Sequence, residues 1–333
     1  MRAIVTGGAG FIGSNFCNMF AQQFELLVVL DSLTYAADRR YLTCDPSFAQ
    51  FVEADICNRV AVNMILTTGK IDTIVHFAAE SHVDRSIQSA DKFISTNING
   101  TFTLIDEFNR HRSTVKSPRF IHVSTDEVYG VAEGNSKFTE STPYAPNSPY
   151  AASKAASDLL VRSYIKTHNF PAIITHCSNN YGPHQASEKL IPTVIKCLVN
   201  RTPIPVYGNG MQIRDWVHVA DHCRALWYVL TSGRLGETYN IGGDHELTNI
   251  QLINQLCDIY DRMYSPPTPS KDLITYVADR PGHDVRYSVD HTKISSELKW
   301  HPSSNVSELL SQTVEYYRNK FTKNLLEQNS KIK

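Results

Sequence analysis

Tyr150 and Lys154 are the first residues whose types and spacing could do chemistry, because they stand four positions apart and would share one face of a helix. An ammonium group and the positive ring of an oxidised nicotinamide both favour phenolate. They would therefore lower the pKa of Tyr150 from its usual value of about 10. The phenolate can take a proton from a hydroxyl group while a hydride leaves for the nicotinamide. The pair predicts hydride transfer.

Thr125, Asp126 and Glu127 form a second group, about two dozen residues before the Tyr. A simple dehydrogenase has no use for an adjacent acid pair, whereas elimination of water needs one carboxyl group to take a proton and another to give one. Inside a cleft, burial and like charge would raise the pKa of one of the two. On an exposed loop, the same pair would be only a solvated surface or a helix cap. We expect the cleft, with the Thr125 hydroxyl holding the reacting oxygen beside Tyr150.

A glycine turn near the start of the chain predicts a dinucleotide site. Gly7, Gly10 and Gly13 follow an apolar run and open a helical pattern, a frame in which glycines allow a tight turn and close approach to a pyrophosphate. The N-terminus of that helix would offer N–H groups to the phosphates. Asp31, at the end of the second apolar run, would accept hydrogen bonds from the adenosine ribose and repel a 2′-phosphate, which favours NAD over NADP. The dipeptide at 55–56 would flank the adenine.

The elements that must position these residues alternate along the first half of the chain. Strand-like apolar runs lie at 3–6, 26–31, 51–54, 73–77, 120–124 and 172–176, and helical patterns lie at 12–22, 59–67, 87–109 and 150–166. This alternation predicts an α/β fold of the Rossmann type, with a doubly wound parallel sheet. Sequence rich in Pro and Gly after about residue 181 predicts a smaller C-terminal lobe that closes over a ligand. We expect an NAD-binding domain over 1–180, with returns from about 214–243, and a substrate-binding lobe mainly over 181–333.

The composition excludes several classes of protein. Of 333 residues, 42% are hydrophobic, which suffices for a sizeable core, and the formal net charge of -1 gives no reason to expect a nucleic-acid or membrane surface. The seven cysteines are scattered and form no CxxC pair, a pattern typical of reduced, mostly buried thiols. No apolar run approaches the ~20 residues of a membrane span, and the first residues already resemble a strand. We expect a soluble, cytoplasmic protein, and the His spacings predict no metal site.

Several motifs resemble a known family. Those typical of the extended short-chain dehydrogenase/reductase superfamily are the glycine turn at 6–13, Ala-Ala-Glu-Ser-His-Val-Asp at 78–84, Ser-Thr-Asp-Glu-Val-Tyr-Gly at 124–130 and the Tyr-Lys pair. Those similar to the bacterial dTDP-glucose 4,6-dehydratases in particular are Cys-Ser-Asn-Asn-Tyr-Gly-Pro at 177–183, Glu-Lys-Leu-Ile-Pro at 188–192, Gln-Ile-Arg-Asp-Trp at 212–216 and Asp-Arg-Pro-Gly-His-Asp at 279–284. The resemblance runs nearly end to end. The Thr-Asp-Glu triplet and the Asp-Arg-Pro-Gly-His run are its most specific parts.

The resemblance implies a role for each catalytic residue. Tyr150, assisted by Thr125 and Lys154, would be the base at the glucose C4 hydroxyl while NAD takes the C4 hydride. Glu127 would then remove the acidified C5 proton, and Asp126 would protonate the departing C6 hydroxyl. Return of the hydride to C6 would give a 4-keto-6-deoxy sugar nucleotide with no net redox change.

The same resemblance implies two sets of binding residues. The cofactor set is Gly7, Gly10, Phe11, Ile12, Gly13, Asp31, Ser32, Leu33, Thr34, Asp55, Ile56, Phe77, Ala78, Ala79, Ser81, Thr96, Tyr150, Lys154 and Asn180. The substrate set is Ser81, Thr125, Asn179, Lys189, Leu190, Pro205, Tyr207, Arg214, Asn249, Asp279, Arg280 and His283. Three cations of the second set, Lys189, Arg214 and Arg280, are the local charges that a nearly neutral protein needs to hold a diphosphate.

Departures from the family pattern and rival functions stay open at this point. Ala186 and Ser187 stand where the family usually has an aromatic residue and a Pro, and His218 replaces a usual Tyr, so we expect an effect on base preference at the substrate rim. The alternatives are a UDP-glucose 4,6-dehydratase, a sugar-nucleotide 4-epimerase that would not need the acid pair, and a non-catalytic NAD-binding regulatory protein. The helical patterns at 87–109 and 150–166 resemble the pair with which superfamily members form homodimers, so a homodimer is expected.

Overall fold

A seven-stranded parallel sheet forms the centre of the molecule. The computed structural model describes residues 1–279 and 282–330. The strands of the sheet lie in the order β3, β2, β1, β4, β5, β6, β10, and every neighbouring pair is parallel. Their bounds are β1 Arg2–Thr6, β2 Leu26–Asp31, β3 Ala49–Glu53, β4 Thr73–His76, β5 Arg119–Thr125, β6 Ala172–Cys177 and β10 Thr238–Ile241. The predicted doubly wound α/β fold is confirmed.

Helices cover both faces of this sheet. On one face, Phe16 of the first helix and Leu226 of the eighth share a core with Trp300. On the other face, Leu66 and Phe108 pack with residues of the sheet and of the sixth helix. The helices are α1 Phe11–Phe20, α2 Arg59–Gly69, α3 Val83–Gln88, α4 Asp91–Phe93, α5 Thr101–His111, α6 Pro149–His168, α7 Leu190–Asn200, α8 Val219–Ser232, α9 Asn249–Tyr264, α10 Thr292–Leu298 and α11 Val306–Ser330.

The helix predicted over 87–109 is wrong in detail. The backbone is extended at Ser89 (φ -155°, ψ 123°), which separates α3 from the next helical segment. That segment continues through a π-helical turn, Ile94–Gly100, between α4 and α5. Inside the turn, the Asn97 side chain accepts from the Glu80 backbone N–H (2.8 Å) and donates to the Glu80 carbonyl (3.0 Å). These bonds hold the turn against the segment after β4, a long-range contact that helical periodicity does not reveal.

The chain leaves the central sheet after β6 and returns to it with α8 and β10, and segments from before and after this return build a second core. The remaining strands are β7 Asn179–Tyr181, β8 Ile204–Tyr207, β9 Ile213–His218, β11 Glu246–Thr248, β12 Ile274–Val277 and β13 Arg286–Tyr287. Strand β9 pairs with β7, β11 and β13, and β8 pairs with β12. Trp216 and residues of α7, α9 and α11 form the core of this part. The division at about residue 180 stays a prediction, although the return of β10 and α8 to the central sheet agrees with it.

The sheet order brings the chemically interesting residues to one edge. Strands β1 and β4 are neighbours, and the chain order reverses direction between them, so a crevice forms outside their carboxyl ends. The glycine turn follows β1, Asp31 ends β2, Phe77 follows β4 and Thr125 ends β5. None of the helices within 1–279 and 282–330 is long and apolar enough to cross a membrane.

Candidate active site

A cavity of about 640 Å³ lies at the carboxyl edge of the sheet. Residues that follow β1, β2, β4, β5 and β6 line it, together with Tyr150 and Lys154 of α6. The cavity therefore unites the predicted hydride-transfer pair, the acid pair and the glycine turn in one space. All five predicted catalytic residues line it, namely Thr125, Asp126, Glu127, Tyr150 and Lys154.

The glycine turn has no room for side chains. Gly7 has a φ of +67°, and a Cβ added there would lie 2.6 Å from the Ala78 backbone nitrogen. A Cβ on Gly13 would lie 2.3 Å from the Gly7 carbonyl oxygen. Gly10 precedes α1 with an extended backbone and no side-chain cap, and residues 10–13 line the cavity, so the first turn of the helix lies at the cavity wall. This is the arrangement that suits a phosphate.

Asp31 anchors the end of β2 beside the glycine turn. One carboxylate oxygen accepts from the Ala9 N–H (2.9 Å), and the other accepts from the Leu33 N–H (2.8 Å). Burial raises the pKa of Asp31, and these backbone hydrogen bonds oppose the rise. Each oxygen retains capacity for another donor, as a ribose contact requires. Leu33 itself has a positive φ of 50° and does not line the cavity.

The cavity contains the other residues predicted to bind the cofactor. Among them are Gly7, Gly10, Phe11, Ile12, Gly13, Asp31, Ser32, Thr34, Asp55, Ile56, Phe77, Ala78, Ala79, Ser81, Thr96 and Asn180. Sequence reasoning missed Lys92, Ser95 and Gln185, which also line it. Ser95 adjoins the predicted Thr96, so the shared helical segment was the available signal for it. Individual binding roles stay predictions.

Local sequence explains how α6 presents Tyr150 and Lys154. Ser148 caps the helix by accepting from the Ala151 N–H (3.1 Å), and Pro149 occupies its first turn. Both functional side chains are buried, and the Lys154 ammonium donates to the Val123 carbonyl of β5 (2.9 Å). That bond holds the helix against the strand that carries the acid pair.

The protein groups around Tyr150 do not by themselves lower its pKa, and the expected lowering, which included the positive nicotinamide ring, stays a prediction. Burial raises this pKa well above its ordinary value, and the Glu127 carboxylate adds to the rise. A hydrogen bond with Thr125 opposes both effects. Burial also lowers the pKa of Lys154. The chain by itself therefore favours the neutral phenol, because desolvation outweighs the proximity that sequence spacing reveals.

Asp126 shows the perturbation that we expected for one member of the acid pair. Burial raises its pKa well above the ordinary range, and the neighbouring Glu127 carboxylate raises it further. The Thr125 hydroxyl lies 3.4 Å from Asp126 Oδ1, while Oδ2 is buried with no hydrogen-bond partner among the described residues. A carboxyl group held in its protonated form is equipped to give a proton.

Asn179 and Lys189, two of the predicted substrate residues, line the cavity from the segments that follow β6. Asn179 has a buried Oδ1 with no hydrogen-bond partner among residues 1–279 and 282–330, so this amide is available to a ligand. Asn180 differs, since its amide is held by Ser178 O (3.0 Å) and by His222 Nδ1 (2.9 Å). Lys189 lines the cavity and donates to the Ser81 carbonyl (3.0 Å), which links the two sides of the cleft. Leu190 is outside the lining.

The remaining predicted substrate residues form a rim outside the cavity lining. Asp279 Oδ1 lies 2.6 Å from His283 Nδ1, and Asp279 Oδ2 accepts from Gln212 Nε2 (3.0 Å). The Arg214 guanidinium lies 4.2 Å from the centre of the Tyr287 ring, and it lowers the pKa of Asp126. Arg214 is therefore close enough to the acid pair to act on it electrostatically, and it connects the rim with the cavity. The other described members of the rim are Pro205, Tyr207 and Asn249, and Arg280 lies outside the described residues.

Sequence reasoning missed two residues of this rim, Gln212 and Tyr287. Gln212 opens the Gln-Ile-Arg-Asp-Trp motif, so its position beside the predicted Arg214 was the available signal. Tyr287 carried no such signal, because it meets Arg214 only through the pairing of β13 with β9.

His218 does not lie at the substrate rim, contrary to expectation. Its Nδ1 accepts from the Ala220 N–H (3.3 Å) at the start of α8, and its ring packs on Tyr181. The substitution is therefore accommodated as a helix cap. Ala186 does line the cavity, so an effect of that departure on ligand preference stays a prediction.

Comparison with known proteins identifies the family. The sequence pattern of the GDP-mannose 4,6 dehydratase family matches residues 4–313. The chain is 46% identical over 324 residues to a probable dTDP-glucose 4,6-dehydratase of Sinorhizobium fredii, an alignment that covers 95% of this chain and 93% of that protein. It is 47% identical to the dTDP-glucose 4,6-dehydratase of Neisseria meningitidis, with coverage of 95% and 93%. The chain belongs to the dTDP-glucose 4,6-dehydratase family.

Solved structures agree with membership of this dehydratase family. A dTDP-glucose 4,6-dehydratase of Streptomyces venezuelae, crystallised with NAD, has a TM-score of 0.89 and 46% identity, and the match covers 96% of this chain and 97% of that one. A UDP-glucose 4-epimerase of Thermotoga maritima has a TM-score of 0.86 at only 26% identity, with coverage of 96% and 99%. Dehydratases and epimerases thus share nearly the whole fold, so the distinction between them rests on side chains in the site.

Replacement of Asp126 by Asn should stabilise the protein in a pH-dependent way. Because burial raises the pKa of the folded-state carboxyl, stability that depends on its protonated form is complete at low pH and is lost as the pH rises toward that pKa. Asn stays neutral throughout. We expect the free energy of unfolding of Asp126→Asn to exceed that of the wild type by about 1 kcal/mol at pH 8 and to converge with it toward pH 4. Urea denaturation across that range is the measurement, and a difference that does not change with pH would contradict the buried, protonated acid.

Proposed function

We propose that this protein catalyses the NAD-dependent dehydration of dTDP-glucose to the 4-keto-6-deoxy sugar nucleotide. It would thus be a hydro-lyase. The observation that carries the proposal is the acid pair. Asp126, with a raised pKa, and Glu127 line the same cavity as Tyr150 and Lys154. A cavity that needed only to move a hydride would have no use for both carboxyl groups.

The residues around the glycine turn fit NAD. A Cβ at Gly7 or Gly13 would collide with backbone atoms, so this part of the cavity is kept open to a group that approaches the backbone closely. Asp31 presents a carboxylate where a ribose hydroxyl can donate, and its charge disfavours a 2′-phosphate. When bound, NAD supplies a hydride acceptor for C4 of the sugar and a hydride donor for C6.

Oxidation at C4 requires a base at the C4 hydroxyl. Tyr150 would take that proton, with the Thr125 hydroxyl bonded to it and Lys154 behind it. Burial opposes formation of the phenolate, so positive charge close to the phenol favours the step. Lys154 contributes such a charge while its position is fixed by the Val123 carbonyl.

The two acids would have separate roles in the elimination of water. Once C4 is a ketone, the C5 proton is acidic, and Glu127 would remove it. Asp126 would give its proton to the C6 oxygen, which departs as water and leaves a double bond between C5 and C6. A proton returns to C5 when a hydride reaches C6, so atoms and charges balance and no net oxidation remains. The environment-driven rise in the pKa of Asp126 suits this donor role.

A nucleotide sugar would bind across the rim. Lys189 and Arg214 would contact the diphosphate, and the buried Oδ1 of Asn179 offers an acceptor in the cavity. Relatives at 46% and 47% identity carry the name of dTDP-glucose enzymes, which supports dTDP-glucose as the substrate. UDP-glucose remains the second candidate, because one thymine methyl group contributes only about 1 kcal/mol of discrimination.

We expect turnover of dTDP-glucose without accumulation of NADH, because the acid pair lets the hydride return. Product mass and absorbance at 340 nm would measure both on the same sample. A product that has lost one water supports the dehydratase, whereas dTDP-galactose of unchanged mass would support the epimerase. Stoichiometric NADH would contradict hydride return, and no turnover with tightly bound NAD would favour the regulatory alternative. A parallel reaction with UDP-glucose decides the base preference.

Glu127→Gln should oxidise C4 but hardly exchange the C5 hydrogen, because the amide cannot accept the proton. In D2O, we expect NADH to form on the enzyme while deuterium incorporation at C5 falls by about 100-fold or more. Mass spectrometry of recovered sugar gives the incorporation. Glu133→Gln, on an exposed loop outside the cavity lining, is the control and should leave exchange unchanged. Normal exchange in Glu127→Gln would show that another group is the base.

We further propose that two chains associate as a homodimer through α3, α5 and α6 with the helical turns between them. Exposed apolar residues on this surface are Ile87, Ile94, Phe102 and Leu159. Apolar side chains concentrated on neighbouring helices are typical of a subunit interface. Their positions fall on the two helical patterns that resemble the dimer helices of the superfamily.

Light scattering should give a mass of about 75 kDa, twice the 37.5 kDa of one chain. Leu159→Arg should shift the mass toward the monomer, since the charge would be buried without a partner. Met19→Arg is the matched control, because Met19 is an exposed apolar residue on α1, which packs on the opposite face of the sheet from α5 and α6. A monomeric wild type, or a Leu159→Arg variant that remains dimeric, would contradict this interface.

A further inference from the structure

A buried carboxylate lies behind the proposed catalytic pair and has no part in the mechanism above. Asp158 is on α6, four residues after Lys154, so Tyr150, Lys154 and Asp158 share one face of the helix. Its side chain is 1% exposed. A carboxyl group that is buried this deeply normally becomes neutral unless nearby groups stabilise its charge.

Three neighbours stabilise the charge of Asp158. The Ser124 hydroxyl donates to Oδ2 (2.9 Å), and His176 Nε2 lies 2.9 Å from the same oxygen. His122 Nε2 lies 3.0 Å from Oδ1. The two imidazoles lower the pKa of Asp158 despite burial, so the group is a carboxylate at neutral pH. Burial meanwhile lowers the pKa of His122 to about 4, which leaves that imidazole neutral.

The contacts of Asp158 connect it to Thr125, at the end of β5, and to the turn after β5 that begins with Asp126. Ser124 immediately precedes Thr125, and it pairs across the sheet with His176. The other nitrogen of His176 lies 2.8 Å from the Tyr129 hydroxyl. Tyr129 ends the 3₁₀ turn that begins with Asp126. The carboxylate therefore connects α6 to the start and to the end of the segment that carries the acid pair.

The same carboxylate acts on Lys154 through its charge. Burial disfavours the ammonium form of Lys154, and the negative charge of Asp158 favours it. Cys177 also favours the ammonium, while His76 and His122 face the same dry region from β4 and β5. Burial raises the pKa of the Cys177 thiol and lowers the pKa of both imidazoles, which leaves all three neutral, whereas the pKa of the Asp158 carboxyl is lowered, so Asp158 is the one of these groups that is ionised at neutral pH.

We propose that Asp158 is a positioning residue for the reaction, which keeps Lys154 positively charged beside Tyr150 and fixes the end of β5 for Thr125 and Asp126. This inference rests on the proposed function for its kinetic consequences only. The electrostatic coupling between Asp158 and Lys154 does not depend on any substrate, and it is tested separately.

The first test measures the titration of Lys154 in the chain without substrate. Carbon-13 at the ε position of lysine reports the protonation state, and the Lys154 signal is assigned by its loss in Lys154→Met. In Asp158→Asn, the midpoint of this titration should move to lower pH. Asp221→Asn is the matched control. Asp221 lies on α8, is buried to a similar extent, accepts a hydrogen bond from the Ser303 N–H and is outside the cavity lining. It should leave the midpoint in place. The same midpoint in wild type and Asp158→Asn would overturn the proposal.

The second test separates positioning from stability by pH-rate profiles with dTDP-glucose. In Asp158→Asn, the ratio of kcat/KM at pH 9 to that at pH 7 should fall by about tenfold relative to the wild type, because Lys154 loses its proton at lower pH. The acid limb should move much less than the alkaline limb, since Asp158 is eight residues from Tyr150 along α6 but only four from Lys154. Asp158→Glu keeps the charge, so its alkaline limb should match the wild type while kcat falls. A uniform loss at every pH, or identical profiles for Asn and Glu, would show a merely structural residue.

A stability cycle keeps the proposal testable if Asp158→Asn folds poorly. Lys154→Met removes the positive charge that the Asp158 carboxylate favours, so adding Asp158→Asn to that variant should cost less stability than adding it to the wild type. Urea denaturation of the four proteins measures the coupling. Additive effects would overturn the charge coupling. Failure of dTDP-glucose turnover in the wild type would contradict the proposed function but would leave both the titration and the cycle valid.

Discussion

Desolvation at the end of β5 is the physical constraint on which the rest of the site depends. Burial alone would make every ionisable group there neutral, since it raises the pKa of Asp126 and Tyr150 and lowers the pKa of Lys154. Neutrality suits the proposed role of Asp126, which is to give a proton. It opposes the proposed roles of Tyr150 and Lys154, which need their charged forms. The site therefore needs sources of charge that burial does not remove, and Asp158 is such a source within the chain.

The fold explains why these groups can be buried together. In a parallel sheet all strands end on the same side, so side chains far apart in sequence meet at one edge. Helix α6 packs against β5 and β6, and the hydrogen bond from Lys154 to the Val123 carbonyl fixes the position of the helix along β5. Glycines at 7 and 13 then leave backbone atoms uncovered on the neighbouring strand end. The buried region between α6 and β5 is thus adjacent to the open part of the cavity beside the glycine turn. A ligand that spans both parts would exclude water from the cavity.

Much of this arrangement could be predicted from the sequence because its signals are local. The glycine turn, Asp31 and the Tyr150–Lys154 pair each rest on a spacing within one βα unit, and the structure places all of them on the cavity. What could not be predicted depends on contacts between distant segments. The π turn is held by Asn97 against Glu80, and the environment of Asp158 comes from two other strands. The effect of burial on the pKa of Tyr150 could not be predicted for the same reason, since spacing reveals a nearby charge but not the degree of burial.

The similarity to the epimerase shows how little of the fold decides the reaction. A chain with 26% identity superposes over 96% of this one, so the sheet, the glycine turn and the enclosing helices are compatible with either outcome. Both reactions can begin with oxidation at C4, and they diverge only in the fate of the ketone. In a site with a single base, the hydride can return only to C4. In the proposed mechanism, Asp126 and Glu127 would give the ketone a second route through C5 and C6, because burial favours the protonated form of Asp126 that this route needs. On this proposal, the outcome of the reaction in this chain depends on the burial of one carboxyl group, which its position directly after β5 sets.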